Sequence, residues 1–393
     1  MNSIKNYRYI AILCYIGAFM GPFGGNVVNI LIPRLQGDFS VSFYKISLSI
    51  SIYMLAFASF QLVSGFASDI FGRRKVVLLG YGGFSVGCMI CYIAQDINIF
   101  LAGRFVQGMS NAFMTPVLMA LLGDAVPSKD LGKYMGVFGS VQTSGIFIAP
   151  ILGGIFAELN WRYTFLILGI LSTILLFIYI KTFKHIGDAK KQGLVPYEVY
   201  SELISNKKIV ILSLSSFLGY FGFGSLGFLF AKYIYMELNT SESINGIIVS
   251  LTGFGSIILS PYAGKIIDIY ERSKVCMAGI AGIVPLVFLI PYIRNIYLLS
   301  LTLLIMGMLS AFVWSALNTM AIDTSPQIRG TASSIVNSFK YFSFSISPLI
   351  YGMVYENRGI EDAFKVASCV TFIQLVLMII YQNMNQRAKV KAV

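Results

Sequence analysis

The sequence predicts an all-α membrane protein with 12 transmembrane helices in two six-helix bundles related by a direct repeat, and three observations carry that prediction. The 393 residues are 56% hydrophobic and only 12% charged, against roughly 25% charged in a soluble domain, so a water-soluble globule is excluded. The apolar residues fall in long runs. Twelve spans of about 20 residues use about 240 and leave about 150 for loops and ends. The second half of the chain then repeats landmarks of the first.

Taken in order, the predicted helices are 8–33, 44–67, 75–94, 99–122, 131–157 and 163–181, then 209–235, 244–266, 275–293, 296–321, 331–355 and 361–382. A helix pairs every backbone polar group within lipid without closing a barrel, and none of these runs shows the ten-residue alternation of a barrel strand. The first run follows Lys5 and Arg8 and continues past Ile32 without a small-x-small cleavage site, which makes it a retained span. Basic residues punctuate the rest at the helix boundaries: Arg34 and Lys45 about the start of the second helix, Arg73 to Lys75 of the third, Lys129 and Lys133 of the fifth, and Arg162 of the sixth. In the second half Lys207 and Lys208, Lys265, Arg272, Lys274, Arg294, Arg329 and Arg358 do the same.

The net charge is +12. In a soluble chain that would suggest nucleic acid, but here the basic residues divide by side. Twenty of the 29 Lys and Arg fall on the side of Met1, seven on the other, and two, Arg104 and Lys340, inside spans. The bias places both termini in the cytoplasm of a cell-membrane protein and leaves no role for nucleic acid. Five cysteines (Cys14, Cys88, Cys91, Cys276, Cys369) lie in apolar runs without disulfide or metal-ligand spacing and read as buried thiols.

Residues 183–207 form a polar connection that separates an N-terminal bundle, 1–182, from a C-terminal one, 208–393. It carries the only histidine, His185, and Leu194 to Ile204 has the near-helical spacing of a surface helix, with a plain solvated linker as the alternative. With an offset of 199, Gly65, Asp69 and Arg73 fall on Gly264, Asp268 and Arg272, and Gly108, Asp124 and Pro127 on Gly307, Asp323 and Pro326. With an offset of 198, Gly132, Pro150 and Gly154 fall on Gly330, Pro348 and Gly352. A direct repeat of six helices keeps both halves in one orientation and predicts a polar cavity between two bundles.

Between the second and third helices stand Gly65, Asp69, Gly72, Arg73, Arg74 and Lys75. Glycines let helix ends turn tightly, and an acid beside a basic cluster can hold an ion pair that a rocking motion must break. The pattern resembles the G-x-x-x-D-[RK]-x-G-R-[RK] loop of the major facilitator superfamily, with Ile70 in place of the usual base. Its echo at Gly264, Asp268, Arg272 and Lys274 has Glu271 where the later glycine should be. The resemblance implies a gating latch at both copies.

The fourth helix carries Arg104, Gln107, Gly108, Asn111 and Thr115, whose polar members share one face. This is similar to the R-x-x-Q-G motif of the superfamily's drug:proton antiporters, which implies proton transfer by Arg104; the alternative is an arginine snorkelling to the outer surface. In the fifth helix Gly136, Gly145, Pro150, Gly153 and Gly154 resemble the antiporter motif G-x8-G-x3-G-P-x2-G-G, with Ala149 replacing one glycine. Residues 145, 149 and 153 make a small-residue stripe for close helix contact. Asn26, Asn29 and Pro33 resemble the first-helix signature of drug exporters, but Gly24 stands where many have an acid, and the Trp161, Arg162 and Phe165 turn is similar to the same branch. The resemblance extends over essentially the whole chain.

None of the 17 acidic residues falls at mid-membrane; Asp38, Asp69, Asp124, Glu158 and Asp323 all lie near span ends. Lys340 does fall there, about 15 Å into its helix, at an insertion cost of about 2.5–3.5 kcal/mol if it faced lipid. Asn337 shares its face, the 198 offset maps it onto Gln142, and Asn318 and Trp314 on the preceding helix are further cavity candidates. These features predict a secondary active exporter of small organic or amphipathic compounds, coupled to protons and working by rocker-switch alternating access as a functional monomer without cofactor or metal. The alternative is an organic-anion uptake or exchange transporter using a Lys/Arg-lined cavity. A transporter-like membrane receptor lacks the long cytoplasmic tail it would need, and no nucleophile-base pair, metal cluster or phosphate-binding loop suggests an enzyme.

Overall fold

The computed structural model describes residues 2–127, 130–182, 205–324 and 329–391; among these are fourteen α-helices and no strand. His185, the 194–204 segment and the rest of the 183–204 connection lie outside the described residues, as do the side chains of Gly65, Asp69 and Asp268. The described residues form two compact units, one of residues up to 182 with 240–250, the other of 205–239 with 251–391.

The first unit contains α1 (Asn2–Asn26), α2 (Val28–Phe39), α3 (Phe43–Phe71), α4 (Arg73–Ile93), α5 (Ile97–Ala125), α6 (Leu131–Leu159) and α7 (Arg162–Thr182). The second contains α8 (Lys207–Gly219), a π-helical turn (Tyr220–Gly224), α9 (Gly227–Leu238), α11 (Arg272–Leu289), α12 (Ile296–Thr324), α13 (Arg329–Arg358) and α14 (Ile360–Lys391). Between α9 and α11 runs α10 (Glu242–Ile269), whose first turns belong to the first unit and whose remainder belongs to the second.

The repeat is visible in how the helices start. The Asp96 carboxylate accepts from the backbone N–H of Asn98 (2.7 Å) and Ile99 (3.1 Å) to cap α5, and 199 residues later the Asn295 amide oxygen accepts from Tyr297 (2.9 Å) and Leu298 (3.1 Å) to cap α12. The link between α3 and α4 is Gly72 alone, at φ +87°, where an L side chain would be strained. Its counterpart Glu271 sits at φ −62° because two residues, Tyr270 and Glu271, separate α10 from α11, so the second copy dispenses with the glycine.

Two predicted helices are jointed. The run at 8–33 divides at Val27, where the Asn26 side-chain amide donates to the Pro22 carbonyl (2.8 Å) and competes with the backbone ladder. The run at 209–235 divides at Ser225 and Leu226, beyond a π turn among Gly219, Gly222 and Gly224. These joints are equivalent: at an offset of 198, Phe19, Gly21, Phe23 and Gly24 fall on Phe217, Gly219, Phe221 and Gly222. The Phe19–Phe23 and Phe217–Phe221 rings stack alike, at 5.4 and 6.0 Å between centroids. The predicted 275–293 helix ends its α geometry at Leu289 and closes with a 3-10 turn at Ile290–Tyr292 around Pro291.

Eleven helical segments among the described residues are long and apolar enough to cross a membrane. The twelfth predicted span, α13, has the length, about 45 Å for 30 residues, but carries Asn337, Lys340 and Ser338, Ser343, Ser345 and Ser347, so its composition is the most polar of the set. Four cysteines are buried as expected; Cys369 is exposed, because it lies on an outward face of α14.

Within each unit, helix crossings are set by glycine. A β-carbon at Gly108 of α5 would collide with the Tyr53 carbonyl of α3, and one at Gly307 of α12 with the Thr252 carbonyl of α10. The two glycines and the two carbonyls are each 199 residues apart. Around Trp161, the rings of Phe39, Phe100 and Phe165 lie within 6 Å, and the indole N–H donates to Asp38 (2.7 Å). This cluster ties the ends of α2, α5 and α7 together.

Candidate functional site

In the first unit Arg104 is fully buried and does not snorkel. Its Nε donates to the Ser49 carbonyl (3.3 Å), and its Nη1 to the Gly24 carbonyl (3.0 Å) and to Gln107 Oε1 (2.7 Å). The guanidinium lies 4.2 Å over the Tyr53 ring, whose hydroxyl donates to the Gly21 carbonyl (3.1 Å). One arginine thus joins α1, α3 and α5, and Gly24, the position lacking an acid, contributes its backbone oxygen in place of a carboxylate. Gln107, also fully buried, donates to Cys88 Sγ (3.0 Å). Nη2 of Arg104 has no hydrogen-bond partner among the described residues.

Further along that face, Asn111 Oδ1 accepts from the Thr115 hydroxyl (2.7 Å), and Gly21 leaves room for it. Asn26 is used locally at the joint, while Asn29 is buried with Oδ1 unpartnered among the described residues. Gln142 is half-exposed on α6.

In the second unit the structure brings Lys340 and Trp314 together and adds two residues that sequence reasoning missed. The Lys340 ammonium lies 5.0 Å from the Tyr220 ring centroid, 5.1 Å from Tyr341 and 6.0 Å from Trp314. Tyr220 stands on the π turn, with its ring 4.7 Å from Trp314 and 5.8 Å from Phe344. Asn337 is half-buried one turn away on α13, and Asn318 is exposed on α12. Aromatic residues are 14% of the chain, so no spacing singled out Tyr220 or Tyr341.

At the predicted latches the basic residues have these partners among the described residues. Arg73 forms an ion pair with Asp124 (2.8 Å) between α4 and α5, and Arg272 pairs with Asp323 between α11 and α12. Arg74 donates to the Ile180 carbonyl (3.2 Å) at the end of α7. A sequence signal for these pairs existed: Arg73 and Asp124 map together onto Arg272 and Asp323 at one offset. The copies differ in burial, since the Arg73 side chain is 9% exposed and that of Arg272 36%. Removing the acid should therefore cost more in the first copy. Asp124→Asn is expected to lower stability by about 1–3 kcal/mol and Asp323→Asn by less than about 1, measured as thermal unfolding of the purified variants.

The antiporter-like segment of α6 and its counterpart in α13 make the same crossing by different chemistry. A β-carbon at Gly145 would stand 2.7 Å from the Phe19 carbonyl, and Gly153 leaves space for Val27 and Ile30. At the positions 198 residues on, Ser343 donates to the Phe217 carbonyl (2.7 Å), the Ser347 and Ser225 hydroxyls bond (2.6 Å), and Tyr351 donates to the Phe221 carbonyl (2.7 Å). Small residues in one copy become hydroxyls in the other. Gly154 and Pro150 meet the first turns of α10 at Glu242 and Gly246, within the first unit, whereas Gly136 faces open space.

A sequence profile described as the Major Facilitator Superfamily matches residues 14–229 and 212–392. The riboflavin transporter RibZ of Clostridioides difficile is 22% identical, with 98% of this chain and 100% of that protein covered. The multidrug resistance protein MdtG of Proteus mirabilis is 24% identical over 95% of each chain. Among solved structures, a bacterial homologue of the human lysosomal transporter Spinster, inward-facing and occupied, superposes with a TM-score of 0.83. That match is 14% identical and covers 96% of this chain and 97% of the other, a likeness of fold.

Proposed function

The chain belongs to the major facilitator superfamily, a family of multi-pass membrane transporters rather than enzymes, and we propose that it is a proton-coupled exporter of small organic or amphipathic compounds. In this reading 1–182 and 208–393 are the two bundles, 183–207 is the linker, both termini are cytoplasmic, and one chain is the working unit. It works by rocker-switch alternating access, with Arg104, Gln107, Asn111, Gln142, Lys340, Asn337, Asn318, Trp314, Asn26 and Asn29 as substrate-binding or coupling residues. Gly65, Asp69, Gly72, Arg73, Arg74, Asp268 and Arg272 form the latches.

The observation that carries the reading is the α6 stripe, where Gly145 and Gly153 run bare against α1 and α2 in the antiporter-like pattern while the equivalent α13 positions, Ser343 and Tyr351, hydrogen-bond. Likeness to MdtG, a multidrug resistance protein, is in keeping with this reading. A second reading, organic-anion uptake or exchange, draws on the absence of a carboxylate partner for Arg104 and Lys340 among the described residues. Purified protein in liposomes with a trapped pH dye separates the two. Proton flux on adding cationic or neutral lipophiles supports the exporter, and a response to anions alone, lost in Lys340→Ala, overturns it.

A further inference from the structure

We infer that the aromatic box of the second unit is a binding site for a lipophilic organic cation, and that the Lys340 ammonium occupies it as a tethered competitor. The inference gives the proposed exporter a substrate class and rests on that reading for its transport meaning. Three ring faces surround one positive charge: Tyr220 at 5.0 Å, Tyr341 at 5.1 Å and Trp314 at 6.0 Å. Ring faces carry the negative part of the aromatic quadrupole, so they attract a cation and repel an anion. Several faces around one point make the environment that recognises quaternary ammonium or phosphonium groups, whose charge is spread and weakly hydrated.

The box is built rather than incidental. Tyr220 is presented by a π turn, a device that recurs at functional sites. The position beside it is glycine, since a β-carbon at Gly224 would press to 3.0 Å on the Tyr220 ring and 3.2 Å on Trp314. Phe223 and Phe344 buttress the rings from behind and are buried, whereas Tyr220, Trp314, Lys340 and Tyr341 are all partly exposed, so the box opens to an accessible surface. No carboxylate among the described residues pairs with Lys340. Its charge is held by ring faces together with the Tyr220 hydroxyl, on a flexible four-carbon stem that can leave while the rings stay. A diffusing cation and the lysine therefore exclude one another.

The organic-anion reading assigns Lys340 the opposite effect on binding. The test uses the full chain in detergent with Trp161→Phe, which leaves Trp314 as the sole tryptophan of two. Trp314 fluorescence is titrated with tetraphenylphosphonium and with tetraphenylborate, its isosteric anion. Removing the competitor in Lys340→Gln should tighten tetraphenylphosphonium binding by about tenfold, and Tyr220→Ala in that background should abolish the gain. Lys340→Arg, which keeps a tethered cation, should bind no tighter than the parent. Lys340→Met gives the same reading if the glutamine variant does not fold. Unchanged or weaker tetraphenylphosphonium binding without the lysine charge overturns the proposal, as does tetraphenylborate binding that depends on Lys340. No gradient is involved, so cation binding without proton flux would overturn the proton-coupled reading and leave the box standing.

Discussion

Arg104→Lys is expected to abolish transport and to lower the melting temperature, although it keeps the charge. The guanidinium works as a planar fork, reaching the carbonyls of Ser49 and Gly24 and the amide oxygen of Gln107 from one centre while its face covers Tyr53. A lysine offers one compact ammonium and cannot satisfy acceptors on three helices at once. Loss of two charge-assisted hydrogen bonds at a fully buried side chain costs about 3 kcal/mol, the largest side-chain effect expected in the first unit. The check is paired: proton flux in liposomes and unfolding temperature for Arg104→Lys beside Arg104→Ala. A lysine variant that transports like the parent would reduce Arg104 to a positive charge and remove its role as a clamp.

Gly108→Ala and Gly307→Ala are expected to destabilise the fold by similar amounts, about 1–3 kcal/mol or more each, because each added methyl meets a backbone carbonyl that cannot swing aside. The equality of the two effects is the informative part. Tyr53 and Thr252 share no side-chain chemistry, so matched losses would trace to the helix crossing that both copies retain. Gly139→Ala is the control, since nothing lies within 4 Å of its missing β-carbon. There the substitution should stabilise by about 0.5–1 kcal/mol through helix propensity alone. Thermal unfolding of the three variants reads all of these effects, and a Gly108 variant as stable as the Gly139 one would contradict the crossing geometry.

Most of the architecture was legible because hydropathy and the 199-residue offset report on it directly. The polar face of α5 was also legible, since spacing alone puts Arg104, Gln107 and Asn111 on one side. The partners were not. Arg104 spends its donors on the backbone oxygens of Gly24 and Ser49, and a carbonyl leaves no mark in a sequence. The Arg73–Asp124 pair was recoverable only by treating the repeat as a contact map, asking which acid and which base move together under one offset. The joint at Val27 was hidden because Val27 keeps helical dihedrals and its N–H still reaches the Phe23 carbonyl (2.9 Å), so nothing interrupts the apolar run. Tyr220 and Tyr341 were hidden by abundance, being two of 23 tyrosines.

That joint recurs at Ser225, so it belongs to the six-helix unit and not to the specialisation of either half. Mechanically, the first helix of each unit is a two-link chain. The inner link of the first unit is bound to α5 by Arg104 at Gly24, while the outer link, α2, is carried by Asp38 on Trp161 at the head of α7. Load reaching the outer link can be taken up as a change of angle at one residue, with the inner link undisturbed. In the first unit the two pieces of the first helix are thus anchored to different neighbours, α1 to α5 and α2 to the head of α7.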